Sequence, residues 1–492
     1  MRFQSVKGKN IQGPVLAAVS VDEWKKGRWL KTLPPELATR IDKAAGHLSE
    51  PLLSGATLHL PAVEKNDAGV LIAILPTDQD PFFLLEFARD SLKMILNSKT
   101  PKLTLVLADA KLEQRLADAF GSALAAAVFA MPVYGKRQKK EKTFLLQDVW
   151  LQASSKKALT ALERGAILGD GTNLARYLAT LPPNVLDPAA YAERVKKLCA
   201  QHGLKFRMHT NKELKRLGAG AFTAVDQGNP DSAGGIFEIT YQPKSVKKGK
   251  PVALVGKGVC FDTGGYDVKI NGGMATMKGD MQGSSVALAC IVTAARLKLN
   301  RPMKAYLAVT ENHLSPKAYK ADEVVVALNG LSIEVVNTDA EGRMVLADTL
   351  TLASRETPEI VIDFATLTGA AVRSLGSKIA AGFTNKKKLH GAIVEAGTES
   401  GERVWTFPLD PTYFKGLESK VADTLQCTRG SGPDHIYAAC FLSKFLEKEV
   451  PWVHVDLTPS ENEGGLAHVD SMFTGFGVRW LHAFLASAGS FR

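Results

Sequence analysis

Residues 332–354 read SIEVVNTDAEGRMVLADTLTLAS, and this stretch decides the fold class. Its first residues alternate between polar and apolar side chains, as a half-buried strand does. Its last residues place Leu346, Leu350 and Ala353 at helical spacing. The order strand, turn, helix is typical of α/β proteins, in which ligands collect where strands end.

The turn between these two elements, residues 337–343, is unusually charged. It carries the carboxylates of Asp339 and Glu341 and the guanidinium of Arg343. Burying these groups would be costly without a counter-charge such as a metal ion. The alternative is a solvated acidic turn in which Arg343 is an ordinary ion-pair partner. The turn alone does not decide between the two interpretations.

Length and composition indicate a soluble globular protein with more than one domain. A chain of 492 residues exceeds the usual size of one hydrophobic core, and 45% hydrophobic with 23% charged residues is ordinary for globular proteins. The first residues lack the pattern of a signal peptide, and no apolar run approaches the roughly 18 residues of a membrane span. Five scattered cysteines without a CxxC pair predict reduced thiols. We therefore expect a cytoplasmic protein with no membrane contact.

The charge balance raises the question of nucleic-acid binding. Basic residues number 61 against 50 acidic ones, which leaves a net charge of +11. The densest basic run, residues 136–142, has no interleaved aromatic residues, so a solvated loop is favoured over a nucleic-acid site. A DNA-binding or scaffolding protein that uses its basic surface is kept as the alternative function.

The pattern of apolar runs divides the chain. Residues 1–150 are predicted to form a smaller α/β domain, with apolar runs at 15–21, 69–75, 103–107 and 125–130. It carries no recognisable chemistry, and we expect an oligomer-forming or regulatory role. Residues 151–178 are predicted as a linking helix, and 179–492 as a catalytic domain. There, buried strands alternate with helices, so the fold class is α/β with a central mixed sheet covered by helices.

A second charged cluster follows the predicted strand at 252–255. The segments VGKGVCFDTGG (255–265) and MKGDM (277–281) contain Lys257, Asp262 and Asp280. A phosphate-binding loop is disfavoured, because Gly258 stands where the Walker pattern requires Ser or Thr. The alternative is that these residues join Asp339 and Glu341 in one cleft. Four converging carboxylates would need two divalent ions, and their oxygens suit Mg²⁺ or Mn²⁺, with Zn²⁺ as a further candidate.

These two segments, together with NTDAEGR (337–343), resemble those of the leucine (cytosol) aminopeptidase family of di-metal exopeptidases. The resemblance extends through NLARYLATLPPN, AFTAVDQG and DFATLTGAA to WVHVDL, roughly residues 165–480. The amino-terminal part resembles the family only in size and general character. The resemblance implies a metal-dependent aminopeptidase that hydrolyses the amino-terminal residue of peptides, preferably an apolar, leucine-like one, by a two-metal activated water.

The resemblance also implies a ligand set. Asp262 and Glu341 would bridge two metal ions, Lys257 and Asp280 would complete the tighter site, and Asp339 the more exchangeable one. The ions would be Mn²⁺ or Zn²⁺, with Mg²⁺ as a further candidate at the exchangeable site. A lysine ligand must be neutral, so the pKa of Lys257 would have to fall. The alternative for Lys257 is a salt bridge to Asp262.

Further roles follow from the same resemblance. Lys269 would stabilise the developing negative charge on the substrate carbonyl, and Arg343 would hold a bicarbonate that carries the proton. The substrate pocket would be lined by four residues: Met277, Thr366, Leu367 and Gly369. For Met277, core packing is nearly as good an interpretation. The family forms homohexamers, which we expect here by resemblance alone.

Overall fold

The structure is a computed structural model that describes residues 1–6, 11, 13–47, 53–62, 69–96, 101–135, 146–230, 233–246 and 249–487. Two compact units are found: Met1–Asn173 with Gly465–Asp470, and Leu174–Gly464 with Ser471–Arg492. The basic run at 136–142 lies outside the described residues.

The first unit is built on a six-stranded sheet. The strand order is β1-β6-β5-β2-β4-β3, and every pair is parallel except β3 with β4. The strands are β1 (Arg2–Ser5), β2 (Val15–Val19), β3 (Thr57–Leu60), β4 (Val70–Ile74), β5 (Lys102–Leu107) and β6 (Asp148–Gln152). The helices are α1 (Val21–Lys26), α2 (Pro35–Gly46), α3 (Pro81–Ile95) and α4 (Glu113–Val128).

The inner strands of this sheet follow the apolar runs of the sequence. All residues of β2 and β4 are buried, as expected of strands covered on both faces. The apolar run at 125–130 is different, because α4 continues through it to Val128. Alanine, the best helix former, supplies most of that segment, so helix propensity prevails. Helix α5 (Lys156–Thr180) then covers most of the segment predicted as a linking helix, 151–178, whose first two residues belong to β6.

The second unit contains strands β7–β17 and helices α6–α14. The strands are β7 (Lys205–Thr210), β8 (Gly235–Tyr241), β9 (Val252–Asp262), β10 (Met303–Asn312), β11 (Val324–Val326), β12 (Ser332–Glu334), β13 (Ile360–Ala365), β14 (Ala380–Thr384), β15 (Val404–Thr406), β16 (Thr424–Leu425) and β17 (Trp452–Asp456). The helices are α6 (Pro188–Gln201), α7 (Asn211–Leu217), α8 (Gly220–Asp226), α9 (Gln282–Arg296), α10 (Glu341–Arg355), α11 (Gly369–Leu375), α12 (Leu389–Ser400), α13 (Asp434–Ser443) and α14 (Val478–Ser487).

The main sheet of this unit has eight strands in the order β15-β14-β17-β13-β9-β10-β8-β7. Its centre, β17-β13-β9-β10, is parallel, whereas β7, β8 and β14 run antiparallel to a neighbour. Helices α9 and α10 pack on β9, β10 and β13. The predicted fold class, two-part α/β with a central mixed sheet covered by helices, is confirmed.

The acidic turn 337–343 does not follow a strand of the eight-stranded sheet. Strand β12, which precedes it, pairs with β11 and β16 in a separate three-stranded sheet. The turn contacts the central sheet through α10, which starts at Glu341 and packs on β9, and through Asn312 of β10, whose Nδ2 donates to the Thr338 carbonyl at 3.0 Å. Among the described helices, none is both long and apolar enough to cross a bilayer.

Candidate active site

The five acidic and basic residues predicted as metal ligands come together from three segments of the second unit. Lys257 and Asp262 lie on β9, Asp280 follows a 3-10 turn, and Asp339 and Glu341 lie at the start of α10. Four of them are almost completely buried, with exposed fractions of 3% for Lys257, 2% for Asp262, 6% for Asp280 and 1% for Glu341.

Each of two lysines pairs with two of the four carboxylates. Lys257 Nζ lies 2.8 Å from Asp280 Oδ1 and 2.9 Å from Glu341 Oε1. Lys269 Nζ lies 2.8 Å from Asp262 Oδ2 and 2.6 Å from Asp339 Oδ1. The alternative considered for Lys257, an ion pair with Asp262, is therefore not the arrangement found, since Asp262 pairs with Lys269. Each ammonium group lies between two carboxylates, in a position that favours a cation.

The pKa values reflect this balance of burial and charge. Burial raises the pKa of Glu341 and of Asp280, and nearby Asp262 raises both further. Burial alone would lower the pKa of Lys257, but the surrounding carboxylates outweigh it and the net pKa is raised. Lys257 is therefore an ammonium ion in this arrangement. It could become a neutral ligand only if bound cations replaced its charge.

The site nevertheless retains unused ligand atoms. Asp262, Asp280 and Glu341 each offer a carboxylate oxygen within 4.8 Å of one another. Among the described residues, Asp280 Oδ2 and Glu341 Oε2 are buried without a hydrogen-bond partner. Buried acceptors of this kind are rare and costly. The donor set, oxygen-rich with one lysine, fits divalent cations.

Residues outside the predicted ligand set hold the ligands in place. Asn312 Nδ2 donates to Asp262 Oδ1 at 2.8 Å, and the backbone N–H of Gly264 donates to the same oxygen at 2.9 Å. Thr366 Oγ1 donates to Asp280 Oδ1 at 2.8 Å. These contacts orient the carboxylates as supporting hydrogen bonds do around metal sites. No spacing rule could have found Asn312, since it belongs to the neighbouring strand β10.

Arg343 is buried beside this cluster and has its own partner. Its Nη2 donates to Asp434 Oδ2 at 2.7 Å, and its Nη1 donates to the Gln426 carbonyl at 3.3 Å. Burial alone would lower the pKa of Arg343, but Asp434 raises it on balance. The Asp434 contact could not be predicted from sequence spacing, because the two residues lie on different helices, α10 and α13.

Two cavities meet at the carboxylate cluster. The smaller, of about 370 Å³, is lined by Lys257, Asp262, Asp280 and all four predicted substrate-binding residues, Met277, Thr366, Leu367 and Gly369. The larger, of about 560 Å³, is lined by Arg343, Arg373, Asp434 and residues near 430. Lys269, Asp339, Glu341 and the segment 367–369 belong to the walls of both. A substrate bond placed at this common wall would have space on either side.

Fold and site together define a mixed α/β protein with a carboxylate-rich cleft suited to divalent cations. The sequence profile described as "Cytosol aminopeptidase family, catalytic domain" matches residues 173–482, and the chain belongs to this family.

Individual relatives agree with this assignment. A protein named "Probable cytosol aminopeptidase" from Synechococcus sp. (strain JA-3-3Ab) is 40% identical over 323 residues, which are 65% of this chain and 63% of that protein. The match thus spans less than two thirds of that relative's length.

Two solved structures are similar over nearly the whole chain. A mutant tomato leucine aminopeptidase has a TM-score of 0.84 at 25% identity, covering 99% of this chain and 96% of its own. The bottromycin maturation enzyme BotP, solved in complex with Mn, has a TM-score of 0.79 at 29% identity, covering 96% of this chain and 99% of its own. These likenesses include the amino-terminal unit, for which the sequence offered only a general resemblance.

Proposed function

We propose that this protein is a metal-dependent aminopeptidase of the leucyl type, which removes an apolar amino-terminal residue from peptides in the cytoplasm. The observation that carries the proposal is the buried cluster of carboxylates with unpartnered oxygens on Asp280 and Glu341. The family membership and the Mn complex of the similar enzyme BotP support it. The proposal extends to a homohexamer, on the family resemblance alone.

In this proposal, the carboxylate cluster holds two divalent cations. They are Mn²⁺ or Zn²⁺, with Mg²⁺ as a candidate at the exchangeable site. By the family resemblance, Asp262 and Glu341 would be shared by both ions, Lys257 and Asp280 would complete one site, and Asp339 the other. Such a pair of cations supplies Lewis acidity and lowers the pKa of a water molecule. The carboxylates and their supporting donors keep the geometry fixed, so that little reorganisation is needed during the reaction.

Lys269 and Arg343 carry the remaining chemistry. The side chain of Lys269 is 17% exposed, so its ammonium group lies at the cavity wall rather than in the core. There it can stabilise negative charge that develops on a substrate carbonyl oxygen. Arg343 lines the larger cavity and would hold bicarbonate as a proton carrier, with Asp434 as the competing partner for its guanidinium.

The preference for an apolar first residue rests on the smaller cavity. Its wall includes the side chains of Met277, Leu367, Val372 and Leu457. Removing a leucine-sized side chain from water into such a cavity contributes about 1.5–3 kcal/mol. Met277 thus lines the cavity, which favours the substrate-binding interpretation over simple core packing.

The test uses Glu341→Gln, which keeps the size of the side chain and removes its charge. Purified protein is stripped of metal, and Mn²⁺ binding and hydrolysis of leucine amide are measured. We expect the variant to lose at least one bound Mn²⁺ per chain and nearly all activity. Glu356→Gln, the same change just beyond the other end of α10, should bind metal and hydrolyse the amide as wild type does.

The proposal fails if metal-loaded wild-type protein hydrolyses no amino-acid amide. The assignment of Glu341 as a metal ligand fails if Glu341→Gln binds Mn²⁺ with the wild-type stoichiometry. Measuring binding separately from turnover distinguishes these two results.

A further inference from the structure

The larger cavity contains one cationic side chain that the proposed reaction does not use. Its three cations are Lys269, Arg343 and Arg373. Lys269 is bound to Asp262 and Asp339, and Arg343 is bound to Asp434. Arg373 forms no ion pair or hydrogen bond with any described residue, and its side chain is exposed. Two of the cavity's cations are therefore committed to internal carboxylates, and Arg373 is available to a ligand.

The position of Arg373 follows from helix geometry. It lies on α11, four residues after Gly369, and helical side chains point back toward the start of their helix. A Cβ built on Gly369 would lie 3.4 Å from Arg373 Nη1. The guanidinium therefore lies over Gly369, on the wall that the two cavities have in common.

The direction of the substrate places its second residue in this larger cavity. If the first side chain occupies the smaller apolar cavity, the chain beyond the scissile bond continues past the common wall. Successive Cα atoms are about 3.8 Å apart, so the second residue stays close to that wall. The volume of the larger cavity, about 560 Å³, is within the usual range for small-molecule pockets.

We propose that Arg373 binds a carboxylate on the second residue of the substrate and so favours short or acidic peptides. A planar guanidinium matches a carboxylate with two parallel hydrogen bonds. The carboxylate could be the free carboxyl terminus of a dipeptide or an acidic side chain, and both present the same chemistry. The nearby carboxylate of Asp434 does not oppose this binding strongly, because Arg343 neutralises it at 2.7 Å. The inference rests on the proposed aminopeptidase function.

The test compares substrate pairs that differ only in one carboxylate. With Mn²⁺-loaded wild-type protein, kcat/KM is measured for Leu-Gly and Leu-Gly amide, and for Leu-Asp amide and Leu-Asn amide. In at least one pair, we expect kcat/KM to be about tenfold higher for the substrate that carries the carboxylate, because its KM is lower. A preference in the first pair identifies the main-chain carboxylate as the ligand, and a preference in the second pair identifies the acidic side chain.

Variants connect the preference to Arg373. In Arg373→Gln, the ratio of the two kcat/KM values in the preferred pair should fall close to one. Arg373→Lys should retain part of the preference. Lys387→Gln removes the same charge from an exposed residue that lines neither cavity, and should keep the wild-type ratio.

Equal rates within both pairs for the wild-type protein would overturn the inference without any variant. A preference that survives in Arg373→Gln would also overturn it. No turnover of any of the four substrates would instead contradict the proposed function, so the two failures are distinguishable.

Discussion

The most constrained contact at the scale of single residues is between Gly342 and Lys257. Gly342 is part of the acidic turn and lies in the first turn of α10. A Cβ built on it would lie 2.6 Å from Lys257 Nζ and 2.7 Å from its Cε. The glycine therefore gives the buried lysine room between Asp280 and Glu341, which explains why a glycine occupies the first turn of α10.

Gly342→Ala should consequently impair metal binding more than folding. Alanine is ordinarily about 1 kcal/mol better than glycine within a helix. Here the new methyl group would push Lys257 Nζ out of its place between two carboxylates. We expect Mn²⁺ affinity to fall about 10–100-fold, as when residues supporting a metal site are changed. Isothermal titration with Mn²⁺ measures the loss.

Gly391→Ala is the matched control for this prediction. Gly391 lies within α12, and a Cβ there would meet nothing within 4 Å. This variant should gain a few tenths to about 1 kcal/mol of stability and bind Mn²⁺ as wild type does. If Gly342→Ala bound Mn²⁺ equally well, Lys257 would have to be free to move without consequence for the site.

At the scale of single residues, the sequence predicts which charged residues form the site but not which of them pair with each other. The turn 337–343 and the segment around Lys257 could be recognised, because carboxylates and lysines near glycines are conspicuous. The pairing of Lys269 with Asp262 and Asp339, and of Arg343 with Asp434, depends on side-chain packing between segments far apart in sequence. Local spacing carries no information about such partners.

At the scale of elements, the strands and helices of the central sheet were the most predictable. The strand predicted at 252–255 became the first part of β9, and the neighbouring β13 is likewise buried along its whole length. The attachment of β12 to a separate sheet was not predictable. A three-residue strand pairs through long-range backbone contacts, and its short alternating pattern is equally compatible with any sheet.

Helix α14 provides a prediction about pH. The Oε2 atom of Glu402 accepts hydrogen bonds from the N–H groups of Gly477 and Trp480, at 2.9 and 2.8 Å, where α14 begins. Burial raises the pKa of Glu402 from 4.5 to about 7. Because the folded state binds this proton more tightly, the contribution to stability is complete below about pH 4.5 and is lost as pH rises through about 7.

Glu402→Gln should remove this dependence. The amide oxygen can accept both backbone hydrogen bonds, since a single oxygen accepts them in wild type, and the side chain stays neutral. Between pH 5 and pH 8 the wild-type free energy of unfolding should fall on the order of 2–3 kcal/mol more than that of the variant. Urea unfolding at both pH values measures this difference.

Glu399→Gln is the control, because Glu399 is an exposed residue of α12, and its stability should depend on pH as that of wild type does. The same change of stability with pH in all three proteins would contradict the prediction.

At the scale of the whole molecule, the chemistry is confined to one of two units. Every residue of the carboxylate cluster and both cavities belongs to the unit Leu174–Gly464 with Ser471–Arg492. The first unit has its own parallel sheet and its own apolar core, centred on β2 and β4. Sequence reasoning assigned the chemistry to the carboxy-terminal part on motifs alone, whereas the amino-terminal fold could be predicted only as a class, because apolar runs do not specify strand order.

This confinement predicts where bound metal stabilises the protein. A ligand that binds only the folded state adds about 2.7 kcal/mol of stability at a concentration 100 times its Kd, and it does so for the cooperative unit that contains the site. Mn²⁺ added to metal-free protein should therefore slow hydrogen exchange in β9, β13 and α10, and leave β2 and β4 nearly unchanged. In Glu341→Gln the slowing should be much smaller, because a proposed bridging ligand is lost. Exchange measured by mass spectrometry with and without Mn²⁺ resolves these segments. Slowing confined to β2 and β4, or none in wild type, would show that the carboxylate cluster is not where the metal binds.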